Sequence, residues 1–229
     1  MAFRAGRYEF RRGCLHRLNK IGLRNCLQGV KRMINKERLI AISDGIIAVA
    51  ATVMVLRLDI PEMVSLSAIR ERVPILIAYI ISYMQIFLAW HEHHDSFINA
   101  EKINHRVFLM NTLWLFLITM LPFVTGVLGQ SPTHRPTILL YLAVLALQIC
   151  VQMLECRMIE NLNGIRMQDA EVVNGIRVLT LVGCGIAAAF AFFCPAASIW
   201  IVVLASLVSV VLIVRYDRMI SNETFRRKN

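Results

Sequence analysis

The chain has 229 residues, of which 57% are hydrophobic and only 17% charged, with a formal net charge of +10. With a mean hydropathy of +0.60, it carries more apolar side chain than a soluble domain of this length buries. That excludes an ordinary soluble fold and points to an all-α polytopic membrane protein.

Residues 1–35 form a basic arm. It holds Arg4, Arg7, Arg11, Arg12, Arg17, Lys20, Arg24, Lys31 and Arg32, with Leu15, Leu18, Leu23, Leu27, Val30 and Ile34 between them at steps of mostly three and four. Basic residues on one face and apolar ones on the other predict a helix lying on an anionic inner leaflet. A plain positive-inside determinant fits the same residues. Nucleic acid is not an expected partner, because aromatic residues are few and no recognised binding motif occurs. The first 38 residues lack the apolar core of a cleavable signal peptide, so the first span is expected to act as an uncleaved signal-anchor.

Six continuous apolar stretches follow, at roughly 39–56, 73–90, 107–128, 137–155, 177–194 and 198–214. Each would reach about 26–33 Å as a helix, close to the thickness of a bilayer core. Transmembrane β-strands would need alternating segments of about ten residues, which these are not. Six spans put both termini on one side. With both inside, the segments 1–38, 91–106, 157–177 and 215–229 carry 21 of the 25 Lys and Arg residues. The outer side keeps Arg57, Arg70, Arg72 and Arg135. That asymmetry predicts cytoplasmic termini, with a six-helix membrane body over 36–214 and a basic tail over 215–229.

The first span carries an Asp near its inner end and a Thr near its middle. Ionisable groups in membrane segments are costly and face protein or water. On an ideal helix Ile42, Gly45, Thr52, Val53 and Leu56 share a face with Val49, and Arg38 continues that line inward. Asp44 lies about 140° away from Val49. Several copies of this helix around an axis would line a narrow apolar pore with the Val49 face and leave Asp44 among neighbouring helices. Periodicity alone favours ordinary lipid or bundle packing of a β-branched stripe.

Farther along, His91-Glu92-His93-His94-Asp95 offers no His pair at the four-residue spacing of a helical zinc site, and no third ligand is evident for His91 and His94. These read as polar residues at the inner end of the second span, able to respond to pH. Gln85, Gln148, Gln152 and Glu155 are expected to hydrogen-bond between helices, with a transport path as the sharper alternative. Pro122 reads as a kink and Pro195 as a turn. Gly183 and Gly185 permit close helix contact. The six cysteines form no C-x-x-C pair and read as free thiols. No Walker loop, nucleophile elbow or paired acidic motif occurs. Neither an enzyme nor a cofactor is expected.

Motif content shifts this balance from packing toward a pore. Arg38-x-x-x-Ile42-Ser43-Asp44, followed by Ala48 and Thr52, resembles the R-x-x-x-F-S-D signature of the transmembrane protein 175 family of potassium-permeable channels. Trp90-His91-Glu92-His93-His94-Asp95-Ser96-Phe97 is similar to that family's W-x-x-H-h-x-x-F block. Asn111 with Leu121-Pro122-Phe123 is similar to its N…L-P-F pattern. The resemblance covers about 36–128 by motif and reaches 214 by helix count. Two departures stand out: Ile42 replaces the signature Phe, and the N-terminal arm is long for a short prokaryotic member.

The resemblance implies a single-repeat, prokaryotic type of channel: a homotetramer in a bacterial plasma membrane, conducting potassium ions. It implies Val49 as the constriction, with Thr52, Val53 and Leu56 above it. It also implies an inner network of Arg38, Ser43, Asp44, Trp90 and His93, in which Arg38, the Trp90 indole and His93 are candidate partners for Asp44. A proton- or ion-coupled secondary transporter, with Asp44 and the His cluster as relay, is the alternative; such carriers often show two internal repeats, and none is convincing here.

Overall fold

The computed structural model describes residues 35–58, 65–165 and 170–228. The basic amphipathic arm expected over 1–34, and its contact with an anionic leaflet, lie outside the described residues. The rest is helical, in six elements: α1 (Lys36–Val55), α2 (Leu66–Ile98), α3 (His105–Gln130), α4 (Arg135–Asn163), α5 (Ala170–Phe193) and α6 (Pro195–Lys228). Each contains a stretch long and apolar enough to cross a membrane, and no strand occurs among the described residues. The all-α, six-span reading is therefore borne out.

The helix ends follow from local chemistry. The Asn35 side chain accepts from the Glu37 N–H at 2.9 Å, Ser65 from Ala68 at 3.1 Å and Asn104 from Val107 at 2.9 Å. Each satisfies a backbone donor that an α-helix leaves open at its start. Pro136 sits in the first turn of α4, where its missing N–H removes nothing. Gly164 closes α4 at φ 64°, in the left-handed region that a side chain resists. Pro195 opens α6 directly after α5, so the expected turn is a helix start. α3 runs on through Pro122 without interruption of its helical assignment.

The second span is longer than hydropathy suggests. It was expected to end near residue 90, with 91–106 as an inner segment, but α2 continues to Ile98 and carries the whole His91–Asp95 run as helix. Glu92, His93 and Asp95 lower the local hydropathy without breaking the helix, because His93 is buried and Glu92 is largely so. α6 likewise continues as helix through the segment read as a basic tail.

α3 is the central element. It packs against α1, α2 and α4, while α5 packs on α4 and α6. Its Trp114, Ile118 and Leu121 are fully buried together with Met54 of α1 and Leu145 of α4. Half of the apolar window of α3 is covered within the chain, against 28% for α1. α1 therefore presents most of its apolar surface outward, to lipid or to other chains.

Of the two glycines expected to allow close packing in α5, only one does. A Cβ on Gly183 would stand 2.6 Å from the Ala205 Cβ of α6, whereas one on Gly185 would meet nothing within 4 Å. Gly183→Ala must push α5 and α6 apart, and overpacking of this kind costs about 1–3 kcal/mol. We expect a lower thermal midpoint for Gly183→Ala in detergent and no loss for Gly185→Ala. Equal midpoints for the two variants would contradict this packing.

Candidate functional site

α1 has two unlike sides. Leu39, Ser43, Ile47, Ala50 and Met54 are buried against the bundle. Ile42, Gly45, Val49, Thr52, Val53 and Leu56 are exposed, Val49 at 60% and Leu56 at 76%. The exposed side is the face that helical phase assigns to Val49. It carries no ionised group from Ile42 to Leu56. Its single hydroxyl, that of Thr52, donates back to the Val49 carbonyl at 2.9 Å. The face is thus smooth, apolar and β-branched over three turns.

The inner half of α1 is fixed by polar contacts on its other sides. Trp90 Nε1 of α2 donates to Asp44 Oδ1 at 2.9 Å. Trp90 belongs to a ladder of rings along α2, in which Tyr79, Tyr83, Phe87, Trp90 and His94 follow at centroid separations of 5.4–6.3 Å. Phe87 and His94 on either side restrict the indole whose N–H meets Asp44. A carboxylate bonded by a donor of this kind is held more strongly than a neutral acceptor.

A second chain of bonds joins α1 to α3 and α2. Ser43 Oγ donates to the Leu39 carbonyl at 2.9 Å and accepts from Asn111 Nδ2 at 3.1 Å. The Asn111 Oδ1 lies 2.8 Å from His93 Nε2. The His93 ring lies flat on Trp114, with centroids 4.5 Å apart and planes 2° apart. Ser43, Asn111 and Trp114 are all fully buried and His93 nearly so. Asn111 is the link that the sequence places in a motif without showing its partners.

Of the three candidate partners of Asp44, the structure brings Trp90 to it. His93 turns to Asn111 instead. Arg38 is exposed and makes no bond to Asp44 among the described residues. The cation at the base of α1 that does engage the bundle is Lys36. Its Nζ donates to the carbonyls of Ile98 and Ala100 at 2.7 and 2.8 Å, covering acceptors left open where α2 ends. Nothing in the sequence distinguished Lys36 from the other basic residues of the arm.

The remaining polar positions divide. Gln85 Nε2 donates to Ser206 at 2.6 Å and Gln152 Nε2 to the Ala89 carbonyl at 2.9 Å, both between helices. Gln148 donates to Gln152 within α4 at 3.0 Å. Glu155 Oε1 is buried without a hydrogen-bond partner. A buried ion pair, Glu92 with Arg177 at 2.8 Å, was not anticipated, since 85 positions separate the two residues. His91 pairs with Asp95 one turn on, at 3.3 Å. Among the described residues no three His, Cys, Asp or Glu side chains gather as a metal site.

This geometry occurs in a segment that is similar to known proteins. Residues 38–122 match the model of the endosomal/lysosomal potassium channel TMEM175. A potassium channel of Chryseobacterium sp. (strain P1-3) is 35% identical over 98 residues, which are 43% of this chain and 51% of that protein. A potassium channel of Chamaesiphon minutus is 34% identical over 103 residues, 42% of this chain and 51% of that one. The human endosomal/lysosomal proton channel TMEM175 is 32% identical over 114 residues, 43% of this chain and 23% of the human protein. The chain thus spans about half the length of the bacterial relatives it matches. The crystal structure of a lysosomal potassium-selective channel TMEM175 homolog from Chamaesiphon minutus superposes with a TM-score of 0.66 at 21% identity, covering 79% of this chain and 97% of that one, which shows a shared fold. The resemblance read from the motif blocks is borne out over residues 38–122, the segment that matches the TMEM175 model, and the six apolar helices make the chain an integral membrane protein.

The Trp90–Asp44 bond can be tested alone. Trp90→Phe removes the N–H and keeps an aromatic ring, and a hydrogen bond to a charged group contributes about 1.5–3 kcal/mol. We expect a lower melting temperature of the purified protein for both Trp90→Phe and Asp44→Ala. Melting at the parental temperature in both variants would show that this bond does not hold α1.

Proposed function

We propose that the chain is one subunit of a potassium-permeable cation channel, in which α1 from each of four copies surrounds a single pore. The observation that carries this reading is the divided surface of α1. Its polar groups are tied to α2 and α3 by Trp90, Asn111 and Lys36, while the Val49 face is left uncovered by the rest of the chain. Four such faces around an axis make a hydrophobic constriction at Val49, continued outward by Thr52, Val53 and Leu56.

Ser43, Asp44, Trp90 and His93 then serve with Asn111 as the inner network that sets the phase of α1, while Arg38 stands exposed at its base. They brace the pore and do not bind ions. Relatives that carry the matched segment are named as channels for potassium or for protons. Passive cation conduction is the element those names share, and potassium is the ion we assign.

An apolar constriction conducts when it is wide enough to wet and closes by losing its water. Val is smaller than Leu or Ile, so a Val ring is wider than one built from those residues. Selectivity rests on how readily an ion sheds water there, and it is modest for lack of a carbonyl-lined filter. The positive-inside pattern places both termini in the cytoplasm. The apolar spans and basic arm suit the plasma membrane of a bacterium, with the arm on its anionic inner leaflet. The coupled-carrier alternative draws its relay from Asp44 and the His cluster. Asp44 instead bonds to Trp90 and His93 to Asn111, which favours the channel.

Recording from purified protein in planar bilayers tests the reading. We expect discrete currents driven by a potassium gradient alone. Val49→Ala should raise conductance severalfold, and Val49→Asp should shift selectivity toward cations of higher charge. Currents unchanged by both substitutions, or slow saturable flux in place of discrete events, would overturn it.

A further inference from the structure

A second concentration of charge lies inside the bundle, among α2, α4, α5 and α6. Arg177 of α5 donates through Nε to Glu92 Oε2 at 2.8 Å, through Nη1 to Asn174 at 3.2 Å and through Nη2 to Cys156 Sγ at 3.4 Å. The guanidinium is 6% exposed and the Glu92 side chain 11%. Cys156 Sγ also lies 3.2 Å from Ser96 Oγ. Beside this pair sits a small cavity of about 30 Å³, whose polar lining residues include Glu92, Gln148, Gln152, Arg177, Thr180 and Ser209. At ~10–15 Å³ per water it has room for about two.

Glu155 precedes Cys156 of this cluster and is not itself among the residues that line the cavity. It follows Gln148 and Gln152 at steps of four and three, so all three share one stripe of α4. It is 1% exposed, and its Oε1 meets no donor. Arg177 is the charge that acts on it among the described residues, yet Arg177 is already spent on Glu92. The cluster therefore holds two carboxyls and one guanidinium. A second carboxylate anion there would lack a counter-charge in a setting where unpaired charge is very costly.

We propose that Glu155 is a proton-binding site inside each subunit, separate from the pore face of α1. Its carboxyl is held as the neutral acid, and on release the proton passes to water, giving carboxylate and hydronium. α1 contributes no residue to the cavity. The titratable and charged groups around the site can be named by element. α2 brings Glu92 and, farther out, the His91–Asp95 pair. α4 brings Cys156 and α5 brings Arg177. α6 faces the cavity with Ser209 and Ile213, neither of which titrates in the range of a carboxyl. Loss of the proton leaves two carboxylates sharing Arg177, so the packing of α2, α4 and α5 becomes linked to proton concentration.

Infrared spectroscopy of the full-length protein in lipid tests this without any ionic current, so it stands apart from the channel reading. At neutral pH exposed carboxyls are ionised. We expect the wild type to show the carbonyl stretch of a protonated carboxylic acid, shifted when the sample is equilibrated in heavy water. Glu155→Gln should delete the band, and Glu155→Asp should move it without deleting it. Absence of the band from the wild type, or a band indifferent to both substitutions, would overturn the proposal.

Discussion

The hydrogen bond from Trp90 to Asp44 is the constraint on which the arrangement of α1 depends. A helix with a continuous apolar surface has little to define its rotation in a bilayer, because lipid and protein neighbours are similarly apolar. One carboxylate near the end of the helix changes that. It has to be directed at a donor, and the donor is held by the ladder of rings along α2. Rotation of α1 by half a turn would carry Asp44 away from the indole and Ser43 away from Asn111. With these bonds made, the Val49 face is left as the uncovered side.

Much of this was readable in the sequence, and the reasons differ by residue. The six spans follow from hydropathy, since no soluble alternative buries so much apolar surface. The separation of Asp44 from the Val49 face follows from helical phase. The inner end of α2 is hidden in the sequence because charged residues normally mark the end of a span, whereas here the helix runs on to Ile98. Glu92 is tolerated there by Arg177, and a pairing across 85 positions leaves no local signal. The choice among Arg38, Trp90 and His93 as partner of Asp44 was likewise open, because it depends on how α1, α2 and α3 meet. Gly183 and Gly185 lie two residues apart and look equivalent in the sequence. Only the docking of α6 separates them.

The polar groups of the chain form two systems with different tasks. One, at the base of α1, consists of Lys36, Ser43, Asp44, Trp90, His93 and Asn111, and it orients a helix. The other, built on Glu92, Glu155 and Arg177, lies within the body of the subunit and involves no residue of α1. Buried ion pairs of this kind are weak sources of stability, since desolvation offsets much of their attraction. Their burial within the bundle fits a role in holding charge or protons more readily than a role in holding the fold.

The orientation of α1 can be measured directly by a cysteine scan in a background lacking the native cysteines, read as block of potassium flux from liposomes by a water-soluble, charged thiol reagent. Cysteines at 45, 49, 52, 53 and 56 should react and block, and those at 43, 47, 50 and 54 should not. Block from the second set, or a scan with no helical period, would contradict a pore lined by the Val49 face.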